Sequence, residues 1–370
     1  MMHLPVYDER GGAFARLRNR RVLLYWPHGL GDFVHLGFVL PLLEPSNSYY
    51  VTRFGDDFVH LYDGCEYAEP LYSGVALPGD GSLMGARHLG LNFKKIRNRM
   101  TPMHVPEPLR AHVERARIDT VLYTDYPERE GTLPFPFHTK ARALARDLVT
   151  RERLATLPLN APLQSGLTFT APPDVTARIE ECLRAFVEKG DALVIVAAGG
   201  HTNPRKRWPD EHVRAFALAL RERNGRSKVI AVDERTSSQI GREPGIAPTT
   251  QDLFGDRSLP FAHVLTTLIR ASGGFVGVAS GPLHAALAIG GRPIVGIWLA
   301  HYPDWYDESH EGSVHLVGPY PYEKRMDCRK ATTTLPLSLR ARVVPFPDRI
   351  PNADDAVRAL ASILPDSVRK

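Results

Sequence analysis

The segment Leu193-Val-Ile-Val-Ala197 restricts the fold more than any other part of this chain. It is apolar throughout, with no alternation. A strand wetted on one face alternates, whereas a strand covered by helices on both faces does not. Further strand candidates fall at Arg21–Trp26, Tyr49–Phe54 and Asp119–Tyr126, and then at Ala192–Ala198, Lys228–Asp233, Gly273–Val278, Pro293–Trp298 and Val314–Val317. Helical patterns separate them. Such alternation predicts an α/β chain of parallel sheets joined by crossover helices.

Two helices are well signalled. Pro209-Asp-Glu211 places a proline and two acids in a first turn, and Val213, Phe216, Ala217 and Leu220 then repeat along one face. Near the end, Asn352 fits an N-cap, with Ala356, Leu360 and Ile363 on one side of a helix over Asn352–Leu364. With 370 residues the chain suits two domains. The stretch Pro158–Pro173, rich in proline and small residues, reads as the approach to a linker, with a short strand at Leu167-Thr-Phe169 and a second domain from Asp174. Ser73–Pro108 has weak periodicity and a basic cluster at Lys94, Lys95, Arg97 and Arg99, as expected of a functional or mobile loop.

Composition narrows the function. The formal charge of +5 suits an acidic partner such as a nucleotide, an anionic lipid or a phosphorylated glycan, and equally a solvated basic surface. No basic stripe interleaved with aromatics points to nucleic acid. No apolar run is long enough for a transmembrane helix, and the opening residues lack a secretory h-region. Cys65, Cys182 and Cys328 are too scattered for a metal pair or a disulfide framework, which fits a reducing, cytoplasmic setting.

Three strand-to-helix junctions could hold chemistry. In Trp26-Pro-His-Gly-Leu-Gly-Asp-Phe-Val-His35, Gly29 and Gly31 permit a tight turn and a close approach, and Asp32 stands where a helix would begin. Asp32 is there either an N-cap or a general base. In Ala197-Ala-Gly-Gly-His-Thr-Asn-Pro-Arg-Lys-Arg-Trp-Pro-Asp-Glu211, Gly199 and Gly200 lead into a loop bearing Arg205, Lys206 and Arg207. That loop is either a phosphate site or an exposed basic turn, and Trp208 packs it onto the helix in both cases. In Gly277-Val-Ala-Ser-Gly-Pro-Leu-His-Ala-Ala286, Pro282 fits a first helical position. The N–H groups of Ser280, Gly281 and Leu283 there lack intrahelical acceptors and could face an anion. His284 reads more readily as a core histidine.

Taken in order, Gly29-Leu-Gly-Asp-Phe-Val-His35, Pro136-Phe-His-Thr-Lys-Ala-Arg-Ala-Leu-Ala145, Arg205–His212 and Gly277–Ala286 resemble glycosyltransferase family 9, which includes the bacterial lipopolysaccharide heptosyltransferases. The resemblance runs from about Arg21 to Trp298. It implies a GT-B fold: two Rossmann-like domains facing across a cleft, an acceptor domain over 1–173 and a nucleotide-sugar domain over 174–350, with a helix in 351–370 returning toward the first. It also implies a metal-independent, inverting transferase with no cofactor, and with a nucleoside-diphosphate sugar, an ADP-sugar in particular, as co-substrate. Asp32 then matches the general base and Lys206 the lysine at the donor phosphates. Gly199, Gly200, Arg205, Glu234, Ser280, Gly281, Pro282, Leu283 and His284 fall on the donor side, and Gly29, Gly31, His35, Lys94, Lys95 and Arg97 on the acceptor side. The acceptor would be a glycan, a lipopolysaccharide core or a protein, met in the cytoplasm or peripherally at the inner membrane face.

Two departures stand out. The family carries an acid just before the hydroxyl residue of the third motif, where it helps hold the donor sugar, and this chain has Ala279. The segment Tyr302-Pro-Asp-Trp-Tyr-Asp307 is aromatic and acidic where relatives are rich in glycine and proline. An epimerase or hydrolase of sugar nucleotides and a non-catalytic nucleotide-sugar-binding module remain as rival readings.

Overall fold

In the computed structural model the described residues are 3–4, 6–8, 17–25, 29–52, 57–71, 103–104, 107–123, 140–149, 153, 156, 163–199, 206–232, 246–247, 259–299, 303, 309–319 and 342–364. The chain divides into two units, Met1–Thr170 and Ala171–Lys370. The division falls three residues before the Pro173/Asp174 boundary expected from composition. Pro172 is the N-cap of the next helix, and Thr176 ties both residues to its first turn, donating from its N–H to Pro172 O at 2.9 Å and from its hydroxyl to Ala171 O at 3.3 Å.

The first unit contains β1 (His3–Leu4), β2 (Val6–Asp8), β3 (Arg21–Tyr25), α1 (Leu30–Val39), β4 (Ser48–Thr52), β5 (Glu69–Pro70), β6 (Met103–His104), α2 (Glu107–Ala116), β7 (Thr120–Tyr123) and α3 (Lys140–Leu148). Strands β2, β7, β3, β4 and β5 form, in that spatial order, a parallel sheet, while β1 and β6 make a separate antiparallel pair. Val22, Leu23 and Leu24 of β3 are all buried, which explains the lack of alternation there. α1 packs against α3 and against the 3₁₀ turn Asp57–Tyr62, where Tyr62 donates its phenol to Phe33 O at 2.8 Å.

No strand forms at Leu167–Phe169, contrary to expectation. Phe169 has φ +53°, which ends any extended run, and Gly166 N–H is bonded at 2.9 Å to Gly37 O of α1 instead of to a sheet. A Cβ on Gly37 would lie 2.5 Å from Leu167 Cγ, so this helix position admits no side chain while that leucine is seated.

The second unit contains α4 (Pro173–Phe186), β8 (Ala192–Ala197), α5 (Asp210–Arg223), β9 (Ser227–Ala231), β10 (Ile246–Ala247), α6 (Phe261–Ala271), β11 (Gly274–Val278), α7 (Gly281–Ile289), β12 (Ile294–Trp298), β13 (Ser313–Val317), β14 (Val343–Pro345) and α8 (Ala353–Ile363). Its seven strands are all parallel, in the order β10-β9-β8-β11-β12-β13-β14. On one face Val194, Val196, Val276, Val295 and Ile297 meet Val213, Phe216 and Ala217 of α5 and Ala356, Val357 and Leu360 of α8. Helix α6 packs against both α4 and α7, and α6 also lies on β8 and α7 on β11.

The closing helix α8 packs on the second unit. α8 lies on α5 and on β11 to β13. Its start is a reciprocal cap: Asn352 Oδ1 accepts from Asp355 N–H at 3.1 Å, and Asp355 Oδ2 accepts from Asn352 N–H at 2.8 Å. Among the described residues no helix is long and apolar enough to cross a membrane.

Candidate functional site

In a doubly wound sheet, ligands settle beyond the carboxyl ends of the strands where the order reverses. In the second unit that point is between β8 and β11, because β8-β9-β10 runs outward on one side and β11-β12-β13-β14 on the other. The register pairs Ala197 with Gly277, so the ends of the two strands adjoin. The second and third sequence motifs are the segments that leave those ends. A Cβ on Gly277 would meet Phe275 Cε1 at 2.7 Å and Ala197 O at 3.2 Å, so glycine lets the strands close here.

At the end of β11, Ser280 is the N-cap of α7, with extended backbone (φ −144°, ψ 170°). Gly281 rather than Pro282 is the first helical residue. The first helical bond runs from His284 N–H to Ser280 O at 3.2 Å. The N–H groups of Gly281 and Leu283 precede that bond and have no acceptor within the helix, and Pro282 has no N–H to offer. An N-cap serine ordinarily turns its hydroxyl onto one of those donors. Ser280 does not: Oγ makes no cap bond, is buried, and finds no partner among the described residues. A buried orphan hydroxyl beside N–H groups that have no acceptor within the helix, at a positive helix end, can hold an anion.

Ala279 is 1% exposed and its N–H is bonded to Ile297 O at 3.1 Å, so this position offers no group to a ligand. Leu283 is fully buried and can contribute only its N–H. His284, placed on the donor side by the resemblance, is 4% exposed and lies against the Trp298 ring at 6.2 Å between centroids. It is a core histidine behind the turn, and its own N–H is already used by Ser280 O.

Residues 206–208 lie at the same edge. Trp208 N–H donates to Ala198 O at 2.7 Å, just past β8. Gly199 lies half-buried at that strand end, and Lys206 is half-buried two residues before the tryptophan. Arg207 is committed elsewhere, its Nη2 lying 2.6 Å from Asp210 Oδ1 in the first turn of α5. Gly200, Arg205 and Glu234 lie outside the described residues.

Sequence reasoning gave no sign of the buried polar chain next to this turn. Trp298 donates its indole N–H to His315 Nδ1 at 2.9 Å, and His315 Nε2 lies 2.8 Å from Ser313 Oγ and 2.9 Å from His310 Nδ1. Because Nδ1 accepts, the neutral ring carries its proton on Nε2. Burial first, then His310 and the Arg342 charge, hold this imidazole well below its ordinary value. The only hint in the sequence is Gly296, where a Cβ would lie 2.7 Å from Trp298 Nε1 and 2.8 Å from His315 Nδ1.

In the first unit the opening motif also leaves a strand at its carboxyl end. Gly29 is the N-cap of α1 (φ −74°, ψ 171°), so the helix starts at Leu30 and not at Asp32. Gly31 falls inside the first turn. Asp32 is the third helical residue, and its Oδ2 accepts from Gly29 N–H at 3.0 Å. The carboxylate thus has a structural bond that orients it. Every residue of α1 is buried except Asp32. His35, placed on the acceptor side by the resemblance, is 0% exposed and presents no surface to an acceptor. Lys94, Lys95 and Arg97 lie outside the described residues, as do Cys328 and all of 302–307 except Pro303.

Two α/β units with parallel sheets in one chain, the second with a helix N-terminus at the reversal point of its sheet, have the fold of solved GT-B proteins. Two solved structures share it. One is a glycosyl transferase family 9 protein from Veillonella parvula, 15% identical, covering 94% of this chain and 98% of its own, with a TM-score of 0.57. The other is the ADP-heptose lipopolysaccharide heptosyltransferase II of E. coli, 15% identical, covering 93% of this chain and 98% of its own, at 0.51. No protein-family model matches the chain, and no curated protein matches it in sequence. At these identities the likeness is one of fold.

Proposed function

We propose that this chain is a metal-independent, inverting glycosyltransferase that moves a sugar, a heptose or a related one, from a nucleoside-diphosphate sugar to a glycan acceptor. The observation that carries the reading is the Ser280 hydroxyl, buried without a partner beside the N–H groups of Gly281 and Leu283 at the reversal point of a doubly wound sheet. Such a site takes a diphosphate. Lys206, two residues before Trp208 at the same edge, supplies the cation. With Ala279 buried, the donor sugar is held by groups other than a carboxylate at that position, which leaves a heptose held in a changed pose or a hexose as donor.

The acceptor binds the first unit. Its hydroxyl oxygen attacks the anomeric carbon from the face opposite the diphosphate, and its proton passes to the Asp32 carboxylate. The bond from the anomeric carbon to the phosphate oxygen breaks, and the nucleoside diphosphate leaves with the electron pair. Lys206 and the α7 N-terminus stabilise the charge that develops there. The bond from Gly29 N–H sets the carboxylate's orientation. The net positive charge suits an anionic acceptor such as a lipopolysaccharide core, reached at the cytoplasmic face of the membrane.

A thermal-shift screen of nucleoside diphosphates and sugar nucleotides tests donor binding, since a ligand of the folded state raises the melting point by mass action. An ADP-sugar is the expected hit. Mass spectrometry of products then separates the rivals: free or epimerised sugar without acceptor indicates a hydrolase or epimerase, and binding without turnover a non-catalytic module. Asp32→Asn keeps an oxygen for Gly29 N–H, so it should abolish transfer at little cost to folding. Near-full turnover in that variant removes Asp32 as the base.

A further inference from the structure

A lysine on a loop is a poor electrostatic device unless its backbone is held, because its side chain already gives up much rotamer freedom when ordered. Two residues on from Lys206, Trp208 fixes the backbone. Trp208 is fully buried and fixed at three points. Its backbone N–H donates to Ala198 O at 2.7 Å and its indole N–H donates to Pro351 O at 2.7 Å. Its ring stands edge-on to Phe216 at 5.9 Å between centroids. Packing alone would accept phenylalanine. A buried indole N–H needs an acceptor, and that acceptor gives the loop one orientation.

The acceptor lies on a segment that is itself tied down. Residues 346–352 lead from β14 to α8. Phe346 N–H donates to Val317 O at 2.7 Å, and Arg349 lies over the Phe346 ring at 4.7 Å. The Arg349 guanidinium pairs with Asp355, whose carboxylate also caps α8 at Asn352 N–H. Trp208, two residues after Lys206, is therefore pinned on one side to the end of β8 and on the other to the 346–352 strap.

We infer that Trp208 is a positioning residue for the donor diphosphate, acting through Lys206, with the 346–352 strap as its anchor. This rests on the diphosphate reading of the site.

Trp208→Phe keeps the apolar ring and removes only the indole N–H. Inorganic pyrophosphate is the probe, titrated calorimetrically into the full chain, because it reports the phosphate site whatever the base. The bond is present without ligand, so its net worth of about 1 kcal/mol limits the loss to at most roughly fivefold weaker binding. In a Lys206→Ala background the same change should have no further effect, since the residue acts through that lysine. Arg349→Ala loosens the strap from its exposed side and should act in the same direction, again only when Lys206 is present. It also serves if Trp208→Phe does not fold. An unchanged affinity in both variants, or an equal loss with and without Lys206, overturns the inference and leaves the diphosphate site standing. If Lys206→Ala itself leaves pyrophosphate affinity unchanged, the reading of the site fails, and the inference with it.

Discussion

Ser280→Ala should stabilise the fold and weaken the ligand, and the opposed signs make it the most informative single change. At an ordinary N-cap, serine to alanine costs about 0.5–2 kcal/mol, because a helix N–H loses its partner. That cost is absent here, since Ser280 Oγ makes no cap bond. What the substitution removes is a buried hydroxyl without a partner, whose desolvation costs about 1–3 kcal/mol. Unfolding of the ligand-free variant should therefore move upward, by roughly 2–4 °C for each kcal/mol in a unit of 150–250 residues. In the proposed complex the same hydroxyl would donate to a phosphate oxygen, and a hydrogen bond to a charged group contributes about 1.5–3 kcal/mol. Nucleoside diphosphate affinity should fall about 10- to 150-fold. Scanning calorimetry without ligand and titration calorimetry with it read the two halves separately. A melting point lowered by several degrees would show an ordinary cap, and an unchanged affinity would show that the hydroxyl does not face the phosphates. Either result refutes the reasoning.

His315 should make stability depend on pH. Its folded pKa lies below the unfolded value of about 6.5, so the unfolded chain takes up the proton first, and the contribution is complete above that value and is lost as pH falls through it. The slope attributable to this one group reaches at most about 1.4 kcal/mol per pH unit. Denaturant unfolding of wild type and His315→Asn between pH 5 and 8 should show a gap that narrows toward acid, and parallel curves would remove His315 as the cause. Gly37→Ala should destabilise the first unit by about 1–3 kcal/mol through overpacking, because the new methyl meets Leu167. Chemical denaturation reads it, and a Leu167→Ala background should relieve it.

The strands were legible because their signal is local. A run such as Leu193–Ala197 is apolar on both faces wherever it sits, and the expected segments match the observed ones to within one or two residues at most ends. The α8 cap was legible for the same reason, since Asn352 and the acids after it bond within one turn. Helix α6 was not, although His263, Thr266, Thr267 and Arg270 fall at helical spacing on one stripe, because the first three of these are buried and the stripe does not mark a solvent face. The edge strands β10 and β14, of two and three residues, are too short for any pattern.

By itself the sequence determined which residues would line the ends of strands, since glycine, proline and acid placement at a strand-to-helix junction follow from backbone sterics and helix dipoles within a few residues. Only the tertiary structure decided what those residues do there. Whether Asp32 begins a helix or closes a capping box, whether the Ser280 hydroxyl is spent on a cap or left over, and whether His284 faces a ligand or a tryptophan all depend on what lies opposite. Those neighbours arrive from distant parts of the chain, as Pro351 does for Trp208, and no local pattern encodes a partner more than a hundred residues away.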